Sequence, residues 1–164
     1  MSPTHPHPIW TSCESNPREI HKSVQACRML SGRYLTDRLQ RHWTHNKAGV
    51  CLLPLCSPQS EGSLEHILLH CSALETTRQK LYDLCHKVSQ ESSELSTIVN
   101  KLTLSGDQQL LMQLILDCTV IPDVIKTTQT SGTHTRDRLL YLGRTWCYNI
   151  HRARMNKLGL CEFK

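Results

Sequence analysis

Apolar residues recur every three or four positions along most of this chain, and this spacing predicts a mainly α-helical fold. We expect a small helical domain with one irregular loop over residues 50–62, which contains Pro54, Pro58 and Gly62. Ser63 is placed to cap the helix that follows this loop. The predicted helices cover residues 18–30, 33–43, 64–71, 73–88, 95–102, 107–118 and 136–158.

Two of these helices carry apolar stripes that predict which face points inward. In the first helix the stripe comprises Ile20, Val24, Cys27 and Leu30. In the last helix it comprises Leu139, Leu142, Trp146 and Ile150. A glycine just beyond an apolar stripe commonly ends a helix, so Gly32 and Gly159 predict where these two helices stop.

Composition predicts which segments are not helical and in which cellular compartment the protein resides. Residues 1–17 hold four of the seven prolines and predict a disordered leader, and the threonine-rich residues 127–134 predict a linker. The N-terminus lacks a secretory pattern and no apolar run is long enough to span a membrane, so we expect a cytoplasmic or nuclear protein.

Thiols stay reduced in those compartments, so disulfide bonds do not explain the presence of nine cysteines. An odd count also argues against a disulfide framework, so metal binding is the first explanation to test. Four cysteines fall on apolar helix stripes and are predicted to be buried hydrophobes: Cys27, Cys85, Cys118 and Cys147.

Charge is distributed unevenly along the chain, whose net charge is +5. Residues 18–47 hold seven Lys/Arg and two acids, as do residues 133–164, so each segment has an excess of five positive charges. Residues 48–132 hold five Lys/Arg and nine acids. Two basic segments around an acidic middle suit a polyanionic partner such as nucleic acid, although solvated helix faces give the same pattern.

The irregular loop and the helix after it contain Cys51, Cys56, His66 and Cys71, spaced C-x4-C-x9-H-x4-C. Zinc in structural sites takes four tetrahedral sulfur and nitrogen ligands, so this spacing predicts a closed zinc site. His70 is a rival donor that ranks below His66, because it is adjacent to Cys71 and should face elsewhere. The alternative is that Cys51 and Cys56 are small hydrophobes of the loop and that His66 and Cys71 pack in the core.

Three stretches carry a family resemblance: RMLSGRYLTDRLQRHW at 28–43, GVCLLPLC at 49–56 and SLEHILLHCSALETTRQKL at 63–81. Together they resemble the zinc-knuckle segment that follows the reverse transcriptase domain of non-LTR retrotransposons. The matching residues are Gly32, Arg33, Tyr34, Leu55, Cys56, Glu65, His66, Cys71, Ala73 and Leu74. The resemblance covers residues 28–81 and loosely the C-terminal residues 139–160. Two departures are the Cys spacing of four rather than two and Ser72 in place of proline.

The resemblance implies a zinc-binding module that handles the RNA or target DNA of such an element. We divide the chain into the leader over 1–17, helices with a CCHC knuckle over 18–89, and a C-terminal helical region with a basic last helix over 90–164. We expect no catalysis, because the paired aspartates of a reverse transcriptase are missing. Pro122-Asp123 with Asp137 resembles a nuclease motif, but helical flanks favour a helix stop with surface acids.

Phosphate contacts are predicted for arginines of the two basic segments, and neighbouring aromatic rings could stack on bases. The candidates are Arg33, Arg38, Arg41, Arg144, Arg152 and Arg154. No membrane or small-molecule partner is expected, and RNA and DNA both stay open. The rival hypothesis is an inert or protein-binding helical domain, the relic of a degenerate element. Convergence of the two basic segments in space would favour nucleic acid.

Overall fold

A long C-terminal helix organises this fold. The computed structural model describes residues 6–13, 16–37, 49–57 and 59–160. Its helices are α1 (Pro8–Thr11), α2 (Pro17–Leu30), α3 (Glu75–Ser89), α4 (Ser93–Leu104), α5 (Gln108–Asp117), α6 (Pro122–Ser131) and α7 (His134–Lys157). Short helical turns cover His66–His70, Ser72–Leu74 and Cys118–Val120. The described residues form no strand, so the mainly α prediction is confirmed, and none of their helices is long and apolar enough to cross a membrane.

The core surrounds α7, as its apolar stripe predicts. Leu139, Leu142, Trp146 and Ile150 are all buried. The Trp146 indole donates a hydrogen bond to the Leu68 carbonyl at 3.4 Å, and its ring meets Tyr82 edge-on at 5.1 Å. Helices α2, α3, α5 and α6 pack against α7, so elements from residues 18–89 and 90–164 share one hydrophobic core.

Helix α2 buries a different face from the one its apolar stripe predicts. Ile20 and Leu30 are each 39% exposed, whereas Ser23 and Ala26 are fully buried. Both of these side chains are small, and the Ser23 hydroxyl donates to the Ile9 carbonyl at 3.2 Å. Hydrophobic periodicity misplaced the face because it gives no weight to small residues that permit close packing.

The predicted disordered leader is wrong for residues 6–13, which form α1 and its flanks. Ile9 is 2% exposed and inserts into the core. The buried Arg144 guanidinium donates to the Ser12 hydroxyl at 2.6 Å and so fixes the segment to α7. Proline content indicated disorder, but one buried isoleucine and one buried arginine hold this segment in place. Residues 1–5 and 14–15 lie outside the described residues.

The predicted threonine-rich linker is also wrong, because α6 continues to Ser131. Pro122 occupies the start of α6, where its fixed φ suits a helix and its missing N–H costs nothing. Val124 anchors the helix in the core at 1% exposure. The Thr128 hydroxyl donates to the Val124 carbonyl at 2.8 Å, which satisfies that polar group within the helix.

Other boundaries follow the sequence closely. Gly32 and Gly159 adopt φ values of 68° and 70° at the ends of α2 and α7, as predicted. Helices α3, α4 and α5 match their predicted ranges within a few residues, and residues 50–62 are irregular apart from a bridge between Val50 and Glu61. Residues 33–36 are not helical, which contradicts the start of the predicted 33–43 helix. The remainder of that helix, from residue 38, lies outside the described residues.

Gly143 permits the close crossing of α5 and α7. A Cβ atom there would lie under 3.0 Å from the backbone carbonyl of Ile115, which a helix cannot move aside cheaply. We expect Gly143→Ala to lower the free energy of unfolding by about 1–3 kcal/mol, measured by denaturant titration. Asn156→Ala, at an exposed site of the same helix, is the control and should change it by less than about 0.5 kcal/mol. Equal effects of the two substitutions would contradict the close-contact explanation.

Candidate metal centre

A short antiparallel pairing fixes the base of the loop that carries the first two cysteines. The Cys51 amide donates to the Ser60 carbonyl at 2.8 Å, and the Gly62 amide donates to the Gly49 carbonyl at 2.8 Å. These bonds flank the bridge between Val50 and Glu61. These contacts hold the two ends of the loop together, and Cys51 lies at the base of the loop.

A tight turn returns the chain so that Cys56 faces Cys51. The Cys56 amide donates to the Leu53 carbonyl at 3.2 Å. Leu55 has a φ of 69°, a left-handed conformation that costs a non-glycine residue about 1–2 kcal/mol. Its side chain is 88% exposed. The four-residue Cys spacing is thus accommodated by one strained residue at the tip of the loop.

The other two residues lie on a π-helical turn, His66–His70. Five residues along an α-helix rotate a side chain by about 140° from its starting direction, too far for two ligands of one ion. Here the Cys71 amide donates to the His66 carbonyl at 2.7 Å, an i to i+5 bond that widens the turn. The wider turn brings both side chains to one side, and the Ser63 hydroxyl caps its start by accepting from the His66 amide at 3.1 Å.

The structure brings all four sequence-predicted ligands together. The ligand atoms of Cys51, Cys56, His66 and Cys71 lie within 4.8 Å of one another and could hold a metal ion. The Cys51 and Cys71 sulfurs are 3.8 Å apart, and the Cys56 sulfur is 3.3 Å from His66 Nε2. His70 is not in this cluster and lies 3.5 Å from the Glu65 carboxylate instead.

Protonation in the cluster reflects its partial burial. Burial raises the pKa of Cys51 to about 12 and raises the pKa of Cys71. Burial also acts to raise the pKa of Cys56, but hydrogen bonds from the neighbouring thiols outweigh it and the net shift is downward. The pKa of His66 is lowered, first by burial and then by electrostatic interaction with the neighbouring His70 and Arg78. A neutral imidazole keeps its lone pair, and a metal that displaces the thiol protons binds more tightly as the pH rises.

Two buried charged side chains connect the cluster to the helical body. Asp37 is 1% exposed and accepts from the Leu52 amide at 3.3 Å and from the Arg154 guanidinium at 2.8 Å. Arg78 is 2% exposed and donates to the Cys71 carbonyl at 2.5 Å. No sequence pattern indicated the role of Asp37. Arg78, however, stands between Leu74 and Leu81 on the apolar stripe of its helix, a position where a charge signals a buried partner.

Two of the arginines predicted to contact nucleic acid are instead structural. Arg144 and Arg154 are 3% and 2% exposed, and their hydrogen bonds go to protein groups. Their guanidinium groups are buried because they donate hydrogen bonds to hydroxyl, carbonyl and carboxylate oxygens of residues that pack against α7. Arg33 and Arg152 are exposed, as the prediction requires. Arg38 and Arg41 lie outside the described residues.

The candidate nuclease residues lie on different helices. Asp123, in the first turn of α6, pairs with Lys101 at 2.6 Å. Asp137, in the first turn of α7, pairs with Arg136 at 2.9 Å. Neither carboxylate belongs to the Cys/His cluster. These contacts agree with the interpretation of both residues as surface acids near helix N-termini.

Comparison of the chain with protein families, curated proteins and solved structures found no match. The resemblance to the retrotransposon segment after the reverse transcriptase domain therefore stays a prediction from the residues quoted above. What the structure establishes independently is the compact cluster of three cysteines and one histidine.

Proposed function

We propose that this chain is a zinc-binding, nucleic-acid-binding module of the kind found in the tail of non-LTR retrotransposon reverse transcriptases. In this proposal zinc has a structural role, because all four ligand positions come from the protein and none is left for a substrate. The observation that carries the proposal is the convergence of Cys51, Cys56, His66 and Cys71.

Two distances within the cluster match those expected of a tetrahedral zinc site. Zn–S bonds of about 2.3 Å and Zn–N bonds of about 2.0 Å in a tetrahedron place two sulfurs about 3.8 Å apart and a sulfur and a nitrogen about 3.5 Å apart. The Cys51–Cys71 and Cys56–His66 distances are 3.8 and 3.3 Å. Thiolate and imidazole donors also select zinc over the hard cations Mg²⁺ and Ca²⁺.

The arrangement of α2 and α7 supports a basic surface at one end of the molecule. Arg144 contacts Ser12 just before α2, whereas the Tyr34 hydroxyl lies 3.2 Å from His151 Nδ1 just after it. The two helices therefore run in the same direction with their C-terminal ends together. Among the described residues, the exposed cations near the C-terminal ends of these two helices are Arg28, Arg33, Arg152 and Lys157. We infer that these cations form one basic surface, which would favour a polyanionic ligand over the rival of an inert or protein-binding domain.

The two acids of residues 18–47 are paired with buried cations rather than with the exposed arginines. Glu19 and Asp37 are the two acids of residues 18–47. Asp37 pairs with the buried Arg154 at 2.8 Å, and Glu19 lies 2.7 Å from Lys22 and 3.9 Å from Arg144. Asp37 is thus neutralised by a buried arginine, and Glu19 lies in the first turn of α2, away from the basic end.

Nucleic-acid binding is tested by titrating zinc-loaded protein with labelled single-stranded RNA and DNA at several salt concentrations. Affinity should fall steeply with salt, because each phosphate contact releases a condensed counterion. The double variant Arg33→Gln/Arg152→Gln should reduce the slope of log affinity against log salt by about 1.4, since each contact to a single strand contributes about 0.7.

The matched control is Lys80→Gln/Lys87→Gln, which removes two exposed positive charges from α3 in the acidic middle of the chain. It should leave the salt slope unchanged. Equal losses in the two double variants would refute a localised basic surface. An affinity that does not change at about 300 mM salt, or no binding by zinc-loaded protein, would favour the protein-binding or inert rival.

A further inference from the structure

Arg78 lies directly beside the metal cluster and is almost completely buried. Its side chain is 2% exposed, and its Nη2 atom donates to the carbonyl of the ligand residue Cys71 at 2.5 Å. One buried cation therefore contacts the backbone of a ligand residue.

The carboxylate partner of Arg78 compensates its charge poorly. Nη2 also donates to Glu75 at 2.6 Å, but that glutamate side chain is 65% exposed, so water screens the pair. The buried Arg154 differs, because its partner Asp37 is 1% exposed. In addition, Arg78 Nη1 is buried and has no hydrogen-bond acceptor among the described residues. A buried guanidinium with so little compensation needs a further source of negative charge.

The metal-loaded cluster supplies that charge. Three thiolates, a neutral imidazole and a divalent ion sum to one negative charge. We propose that Arg78 is the buried counterion of the metal-loaded cluster and raises its metal affinity. This inference depends on the proposed metal site and adds a residue outside the ligand set. The same contact joins the start of α3 to Cys71, so metal loading also stabilises that end of the helix.

The test compares Arg78→Met with Arg78→Lys in full-length protein, using zinc competition with a chromophoric chelator and the absorption spectrum of the Co²⁺ form. We expect Arg78→Met to weaken zinc binding about 10–100-fold, the usual effect of removing a group that supports metal ligands. Its thiolate-to-Co²⁺ charge-transfer band should move to longer wavelength, because loss of a nearby positive charge raises the energy of the sulfur electrons. Arg78→Lys should retain most of the affinity and the band position.

Arg144→Met is the control, since it removes an equally buried arginine that contacts residues 9–12 rather than the cluster. It should leave the metal affinity and the Co²⁺ spectrum of the folded protein unchanged. Unchanged affinity and an unshifted band in Arg78→Met would overturn the counterion role while leaving the metal site intact. Absence of zinc and Co²⁺ binding by the wild-type chain would instead reject the metal site itself, and the inference with it.

A second variant decides the matter if Arg78→Met does not fold. Glu75→Gln removes the exposed carboxylate that competes for Arg78 and leaves the buried guanidinium in place. Metal affinity should then rise a few-fold, because more of the arginine charge acts on the cluster. An unchanged or weaker affinity in Glu75→Gln would contradict the proposal.

Discussion

Purified wild-type protein should contain one zinc ion per chain, and Cys56→Ser should lose it. Serine is a poor zinc ligand, and removing one of four ligands forfeits about a quarter of the roughly 10–16 kcal/mol typical of structural zinc, which is a hundredfold or more in affinity. Saturating zinc at about a thousand times its dissociation constant should stabilise the wild-type fold by about 4 kcal/mol and raise its Tm by about 10 °C. The Cys56→Ser variant should show neither effect.

Matched substitutions separate metal binding from general damage. Cys27, like Cys56, is a half-buried free cysteine, but it lies outside the cluster, so Cys27→Ser should keep one zinc per chain. His66→Asn should lose zinc, whereas His70→Asn should keep it, because His70 faces Glu65. Metal-free wild-type protein, or zinc retained in both Cys56→Ser and His66→Asn, would show that this cluster is not the site.

Arg154→Met should destabilise the zinc-loaded protein by about 3–5 kcal/mol, because it leaves the buried Asp37 carboxylate without its ion-pair partner. The change also removes the 3.1 Å bond from Arg154 to the Leu35 carbonyl. The expected fall in Tm is on the order of 10 °C. Denaturant and thermal unfolding of the zinc-saturated protein measure both quantities.

Arg152→Met is the matched control, since Arg152 lies on the same helix two residues earlier and is exposed. Its effect on the free energy of unfolding should stay within about 0.5 kcal/mol. The double variant Asp37→Leu/Arg154→Met should recover part of the loss, because no unpaired buried charge remains. If Arg154→Met is as mild as Arg152→Met, the arginine is not a structural ion-pair partner and its assignment to the nucleic-acid surface should be reconsidered.

The candidate metal site was predictable from sequence because its ligands are few, chemically specific and close along the chain. Cys51, Cys56, His66 and Cys71 span 21 residues, and local turns suffice to assemble them. The strained Leu55 and the π-helical turn were not predictable, because each adjusts the backbone to a spacing that an ordinary turn or α-helix does not fit. Sequence thus identified the donor atoms, and local backbone geometry decided how they meet.

The sequence by itself determined the helical class, the core stripe of α7 and the candidate ligands, since these follow from local periodicity and side-chain chemistry. Only the tertiary structure decided which charges are buried. Arg144 and Arg154 have the same local pattern as exposed surface arginines, but segments distant in the chain bring Ser12 and Asp37 against them. The same long-range packing ordered residues 6–13 and selected the face of α2. Burial depends on the elements that pack against a residue, and the periodicity of its own helix does not contain that information.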